Sequence, residues 1–118
     1  MASRSTLVIL QNQTGSDLQL THAELSGGVW TTDMYPPADA PAKGSGKWES
    51  ESNGFMTGTE GSVTYFLQGA GSVTIGWDNP FSGSNSYQSS CPKGFTLTHT
   101  GGDGNNATVT YTLAPAAQ

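Results

Sequence analysis

The sequence predicts an all-β fold, an antiparallel β-sandwich of roughly eight short strands. Apolar and polar residues alternate with a period of two along most of the 118 residues, which is typical of strands with one buried face. Clusters of Gly, Ser, Asn and Asp separate these segments and are typical of turns. No stretch of helix length has apolar residues at the spacing i, i+3, i+4 and i+7. Short strands joined by such turns favour two packed sheets.

The clearest alternation precedes the sequence WDNP, where Val73, Ile75 and Trp77 share one face of a predicted strand. Because Trp77 has the parity of two apolar residues, it is predicted to be the structural anchor of that strand. Three more segments follow the pattern, with inward residues Val63, Tyr65 and Leu67; Phe95, Leu97 and His99; and Val109, Tyr111 and Leu113. Less regular strand candidates are 7–11, 18–25, 29–32 and 47–51.

Residues 1–118 are predicted to form a single domain, because a chain of this length has enough apolar residues for one core. We find no internal repeat and no linker between domains. Residues 35–46, YPPADAPAKGSG, are the one long irregular connection and are expected to be extended.

The charge balance restricts the partners. Four Lys and Arg residues stand against nine Asp and Glu, for a formal net charge of -5. So few scattered cations cannot neutralise a phosphate backbone, and the sequence predicts no nucleic-acid partner. The same deficit argues against adsorption to anionic lipid, so any membrane contact is expected to use aromatic or neutral-headgroup chemistry.

Two further features concern the compartment. Cys91 is the one cysteine, so no internal disulfide can form. The apolar run near the N-terminus, residues 7–10, is shorter than a signal-peptide core, and we expect a protein made without a signal peptide.

The search for catalytic chemistry predicts no enzyme and no cofactor. His22 and His99 lie within strand patterns, each with the parity of the neighbouring apolar residues, which favours core or sheet-edge histidines over catalytic ones. Glu60 and Asp78 are conceivable paired carboxylates for glycoside cleavage, but both adjoin turns, which favours a structural role. The DGNN sequence lacks the glycine and glutamate spacing of a calcium loop, so no metal site is predicted.

Three blocks of sequence carry a specific resemblance. They are SNGFMTGTEGSVTYFL at 52–67, WDNPFSGSNSY at 77–87 and GGDGNNATVTYTL at 101–113, accompanied by NQTGSDLQL and LSGGVWTT nearer the N-terminus. In order and spacing they resemble the aegerolysin family, and most closely the small component of bacterial binary insecticidal crystal proteins.

This resemblance implies an aegerolysin-like β-sandwich that acts at membranes. By it, the protein would be an insecticidal toxin component that binds insect midgut membranes through a lipid or receptor and promotes pore formation with a larger partner protein. It would be made in the bacterial cytoplasm, stored as an inclusion or released, and act extracellularly at the host membrane. A homo-oligomer is compatible with the pattern, which does not distinguish it from a monomer.

Aromatic side chains on loops are the predicted membrane or ligand contacts, because they combine apolar area with a polar handle and attract cationic headgroups. The aromatic candidates are Phe81, Tyr87, Tyr35 and Trp30, and the polar ones are Asp78, Asn79 and Asn85. Residues 78–80 are expected to stop the preceding strand, which leaves 81–87 to face outward. For Trp30 and Trp48 packing against the sheets is favoured over binding.

One alternative function stays open. The same loop aromatics suit a lectin-like module that binds lipids or stacks on sugars and permeabilises nothing.

Overall fold

The computed structural model describes residues 3–117 as two five-stranded β-sheets packed face to face. This stretch contains no helix, and therefore none that is long and apolar enough to cross a membrane. The strands are β1 (Ser5–Asn12), β2 (Leu18–Gly27), β3 (Val29–Trp30), β4 (Asp39–Ala40), β5 (Ser45–Glu51), β6 (Thr59–Leu67), β7 (Gly71–Asn79), β8 (Ser86–Ser90), β9 (Phe95–Gly101) and β10 (Asn106–Pro115).

Sheet A has the strand order β3-β5-β1-β10-β9, and sheet B has the order β4-β2-β6-β7-β8. All neighbours pair antiparallel except β1 and β10, which run parallel from Ser5 opposite Asn106 to Asn12 opposite Leu113. A parallel pair cannot be joined by a hairpin, and here nearly the whole chain lies between the two strands. The predicted all-β sandwich is confirmed, with this one parallel pair in its centre.

The structure has ten strands among its described residues, two more than the sequence suggested. Strand β4 is a two-residue strand inside the connection 35–46. Strand β8 has the sequence SYQSS, whose serines are poor strand formers, and it exists because it pairs with β7. Both were missed because pairing, rather than local preference, makes them strands.

Large aromatic side chains fill the space between the sheets. Trp77 is 2% exposed and Trp48 is fully buried, as the parity of Trp77 and the packing interpretation of Trp48 predict. The rings of Trp48 and Tyr65 stack with centroids 5.9 Å apart, and Trp48 lies 6.2 Å from Trp77. The core is therefore held by aromatic contacts between sheet A and sheet B.

A register shift in β2 moves one predicted inward residue to the surface. The shift lies between Leu20 and His22, so Ala23 and Leu25 pack against the core while His22 is exposed. The His22 Nε2 atom lies 3.2 Å from Glu24 Oε1. The parity assigned to His22 from the sequence is wrong because a bulge inserts one residue into the alternation.

Strand direction brings three loops to one end of the sandwich, which we call the Phe55 end. It carries the loops 52–58, 80–85 and 102–105, at the ends of β5, β7 and β9. Along one flank, residues 31–38 cross from β3 in sheet A to β4 in sheet B. Leu20 N donates a hydrogen bond to Ala38 O and Glu49 N donates one to Met34 O, so this segment is bonded to both sheets.

Candidate functional site

The Phe55 end concentrates exposed apolar side chains. Phe55 is 90% exposed and its neighbour Met56 is 56% exposed. Val29, also exposed, pairs with Glu51 at the start of the same loop. Folding gains nothing from apolar area that stays in water, so adjacent exposed side chains of this size indicate a contact surface.

A cleft of about 700 Å³ separates the Phe55 loop from the β7–β8 loop. Its walls combine apolar side chains with serine, asparagine and one carboxylate. They are formed by Ser3, Glu51, Ser52, Asn53, Gly54, Phe55, Met56 and Phe81. Phe81, which the sequence predicts as a contact residue, lines this cleft and is half-buried.

Arg4 stands behind Phe81, with its guanidinium carbon 4.9 Å from the ring centroid. Its Nη2 donates to Phe81 O at 2.6 Å, its Nε to Pro80 O at 3.4 Å and its Nη1 to Ser3 O at 3.0 Å. All three acceptors are backbone carbonyls, so none of them neutralises the guanidinium. A guanidinium has five N–H donors, and two remain for another acceptor.

Side-chain amides tie the loops 80–85 and 102–105 of this end to each other and to β1. Asn79 Nδ2 donates to Ser5 O at 3.0 Å and to Asn105 O at 2.9 Å. Asn85 Nδ2 donates to Gly102 O and Gly104 O, both at 2.9 Å. Asn79 is 1% exposed. The prediction that Asn79 is a polar ligand contact is therefore wrong, because its side chain is buried. Asn85 is half-buried, and both hydrogens of its side-chain amide are used within the protein.

Tyr87 was predicted on a loop, but it lies in β8 and is half-buried. Its hydroxyl donates to Gly102 O at 2.8 Å, and its ring lies 5.5 Å from that of His99. Gly102 has φ +100, and a side chain there would meet the Tyr87 ring. Burial raises the pKa of the Tyr87 hydroxyl. Tyr87 thus joins β8 to the β9–β10 loop, and the outward segment is confined to 81–86.

Asp78 points from the outer face of sheet B, directly opposite Glu60 in the ladder of β6 and β7. Both line a polar depression of about 360 Å³, which Gly76 also lines. The structure thus pairs these two carboxylates as neighbours, while placing Asp78 on a different surface from Phe81. Within residues 3–117 no three His, Cys, Asp or Glu residues are grouped to hold a metal ion.

Trp30 and Tyr35 form a separate pair on the flank crossed by residues 31–38. Their rings meet edge to face at 5.2 Å, and Trp30 lies 6.0 Å from Trp77. Trp30 is half-buried in β3 and packs against the core, as favoured from the sequence, whereas Tyr35 is exposed. The predicted aromatic set is therefore divided between the flank, the Phe55 end and β8.

Sequence reasoning missed Phe55 and Met56, although the signal was present. The stretch SNGFMTG places two large apolar residues inside a turn-like sequence, where no strand alternation accounts for them. The exposure of Phe55 depends on how the loop 52–58 packs against the β7–β8 loop. At that contact Gly58 lies so close to Asn79 and Pro80 that a side chain would have no room.

Comparisons with known proteins agree with this fold. A model of the aegerolysin family matches residues 4–115. An uncharacterised protein of Dictyostelium discoideum is 32% identical over 113 residues, which cover 94% of this chain and 10% of that protein. The chain therefore spans about a tenth of the length of this relative.

Three crystal structures are similar to the chain. RahU protein in complex with a TRIS molecule has a TM-score of 0.81 at 17% identity, covering 100% of this chain and 99% of that one. The lipid binding protein Nakanori has a TM-score of 0.81 at 14% identity, covering 97% of this chain and 72% of that one. IP-1A from Alcaligenes faecalis has a TM-score of 0.77 at 16% identity, covering 98% of this chain and 94% of that one. At these identities the likeness concerns the fold alone.

Proposed function

The chain belongs to the aegerolysin family, and from this membership we propose that it binds the lipid membrane of a target cell through its Phe55 end. The observation that carries the proposal is the 90% exposure of Phe55 beside the exposed Met56. A solved structure of similar fold is described as a lipid binding protein, which supports a lipid surface as the partner.

The apolar tip supplies the main energy of binding. Moving a Phe or Met side chain from water into the acyl region contributes about 1.5–3 kcal/mol. The loop that carries both residues is held by hydrogen bonds from Ser52 N to Arg4 O at 2.8 Å and from Thr57 Oγ1 to Gly54 O at 2.9 Å, which limits the conformational entropy lost on insertion. The two side chains together contribute about 3–6 kcal/mol, which corresponds to weak and reversible membrane binding.

The charges select the kind of membrane. With a net charge of -5 the protein is repelled by anionic lipid. Arg4, held by carbonyls beside Phe81, presents its remaining N–H donors to a single headgroup phosphate. The partner is therefore a zwitterionic surface, and weakening of binding by salt is slight.

In its finer form, the proposal makes the protein the small component of an insecticidal pair. Binding at insect midgut membranes would precede recruitment of a larger pore-forming protein. Support comes from the family membership and from the resemblance of the blocks 52–67, 77–87 and 101–113 to the small components of binary crystal toxins. The recruiting surface would be one that the bound Phe55 end leaves free.

Flotation with vesicles tests the lipid step. The vesicles contain phosphatidylcholine, sphingomyelin and cholesterol, or lipids extracted from insect midgut. Phe55→Ser is expected to weaken partitioning roughly ten- to hundredfold, as loss of one buried aromatic implies. The matched control is Phe66→Ser, since Phe66 is 41% exposed on the outer face of sheet B. Equal losses in both variants, or none in Phe55→Ser, would reject the Phe55 end as the contact.

Release of a trapped dye tests the finer step separately. We expect leakage from midgut-lipid vesicles when the larger partner protein is added, and loss of that leakage in Phe55→Ser. Vesicle binding without leakage under any partner condition refutes the toxin role and leaves lipid binding intact. Binding to a glycan array without vesicle binding instead supports the lectin-like function.

A further inference from the structure

The two lateral sides of the sandwich end in very different strands. On one side the edge strands are β3 and β4, of two residues each, and the segment 31–38 crosses over them. On the other side the edges are β9, of seven residues, and β8, of five. Among residues 3–117 no segment covers β9.

The ladder between β9 and β10 shows which backbone groups of β9 face outward. Gly102 N donates to Thr108 O and Ala116 N donates to Gly94 O, both at 2.9 Å. In an antiparallel pair these bonds recur at every second residue, so the even-numbered residues of β9 point towards β10. The N–H and C=O groups of Leu97 and His99 consequently point away from the sheet. Within the described part of the chain, no backbone bond outside the ladder involves residues 96–101.

This edge lacks the usual protection against pairing. Natural edge strands are commonly blunted by charged residues, by proline or by bulges. The sequence of β9 is FTLTHTG, with no Lys, Arg, Asp, Glu or Pro. The neighbouring edge β8, SYQSS, is also free of these residues. In a chain of net charge -5, this side is therefore one that two copies can share without charge repulsion.

We propose that a second copy of this chain pairs antiparallel with β9, with the two-fold axis at Thr98. Thr98 then lies opposite Thr98 of the second copy, and Leu97 lies opposite His99 of the second copy. Each Leu97–His99 pair exchanges two backbone hydrogen bonds, so about four new bonds form. Sheet A of each copy becomes half of one continuous sheet of ten strands.

The sequence of β9 fits itself in this register. Thr96, Thr98 and Thr100 alternate on the exposed face, and the two-fold axis places threonine opposite threonine at each of these positions. Such cross-strand threonine pairs stabilise sheets. On the inner face the half-buried Leu97 gains a neighbour. A second copy therefore fits the edge without any change in the fold.

Disulfide trapping tests the register. Thr98→Cys in a Cys91→Ser background places two thiols at a non-hydrogen-bonded pair, where Cα atoms lie about 4.5 Å apart, within the disulfide range. We expect rapid formation of a disulfide-linked dimer under mild oxidation. Thr96→Cys in the same background is the control, because its own copy lies about 13 Å away along the strand. Thr96→Cys mixed with Thr100→Cys should cross-link again. Equal cross-linking of the Thr96→Cys and Thr98→Cys proteins, or none, overturns the proposal.

Light scattering after size exclusion tests the assembly without cross-links. The wild-type protein is expected at about twice the chain mass of 12.2 kDa, shifting to one chain on dilution. Thr98→Lys replaces a favourable threonine pair by two like charges and should raise the dissociation constant of the dimer about two- to thirtyfold. Thr108→Lys, on the exposed face of the adjacent strand β10, should not. A wild-type monomer at all concentrations, including one that pairs only with another protein's strand, refutes self-pairing.

Discussion

Trp77 Nε1 donates a 2.9 Å hydrogen bond to Ser50 Oγ across the interior of the sandwich. Ser50 Oγ lies 2.7 Å from Thr59 Oγ1, which itself donates to Gly27 O at 3.2 Å. Because the Thr59 hydrogen is used on Gly27, Ser50 donates to Thr59. A directed chain of three hydrogen bonds thus joins β7 of sheet B to β5 of sheet A and returns to β6 and then β2 of sheet B.

Removing the Ser50 hydroxyl should leave the indole N–H of Trp77 without a hydrogen-bond acceptor. Ser50→Ala leaves the Trp77 N–H buried without its acceptor and is expected to lower the free energy of unfolding by about 1–3 kcal/mol. Urea denaturation followed by circular dichroism measures the loss. The double variant Ser50→Ala with Trp77→Phe should lose less unfolding free energy than the sum of the losses in the two single variants. Strict additivity would mean that this hydrogen bond contributes nothing.

Phe81 and Tyr87 should separate binding from stability. Phe81→Ala is expected to weaken vesicle partitioning while changing the free energy of unfolding little, since Phe81 lines the open cleft. Tyr87→Phe removes the bond to Gly102 O and should cost about 0.5–1.5 kcal/mol of stability without affecting partitioning. Flotation and urea denaturation on both variants provide the comparison. A loss of partitioning in Tyr87→Phe would return Tyr87 to the binding surface.

Much of the fold was accessible from the sequence because one face of most strands is buried. Val73, Ile75 and Trp77 alternate without interruption, and each is buried as the pattern requires. In β2 the bulge after Leu20 reverses the parity of His22, and no residue type signals it. The parallel pairing of β1 with β10 joins the chain's first and last strands, a contact that local patterns do not encode.

The site was less accessible, since exposure depends on how loops pack. Asn79 and Phe55 both lie in sequences typical of turns. Asn79 is nevertheless buried and donates to two backbone carbonyls, whereas the side chain of Phe55 is exposed to solvent. Polar character predicted a ligand contact for Asn79, whereas the fold uses its amide to hold β1 against the β9–β10 loop. An amide with two available hydrogens serves either purpose, and only the distances to Ser5 O and Asn105 O decide.

Two buried tyrosines should respond oppositely to loss of their hydroxyls. Tyr65 donates to Pro37 O at 2.7 Å, so Tyr65→Phe should cost about 0.5–1.5 kcal/mol. The Tyr111 hydroxyl is buried with no hydrogen-bond partner among the described residues, so Tyr111→Phe should be neutral or stabilising by up to about 1 kcal/mol. Thermal and urea unfolding measure both. Equal destabilisation would reveal a partner for Tyr111.

The same tyrosines should make the fold sensitive to alkali. Burial raises the pKa of Tyr111 from 10.0 to about 12, and burial followed by the nearby charge of Asp39 raises that of Tyr65 further. Above pH 10 the unfolded chain loses phenol protons that the folded chain still holds, so the unfolded state binds fewer protons and stability falls as pH rises. The contribution of Tyr111 is complete below about pH 10 and is lost as pH rises to about 12.

Urea denaturation at a series of alkaline pH values should therefore show a declining free energy of unfolding. Tyr111→Phe is the matched control, because it keeps the ring and removes the titrating group. We expect a shallower decline in that variant between about pH 10 and 12. Near-ultraviolet absorbance of the phenolate should show, in the folded wild-type protein, one late ionisation that Tyr111→Phe lacks. An unchanged slope together with an early phenolate signal would mean that the Tyr111 hydroxyl reaches water in the folded protein.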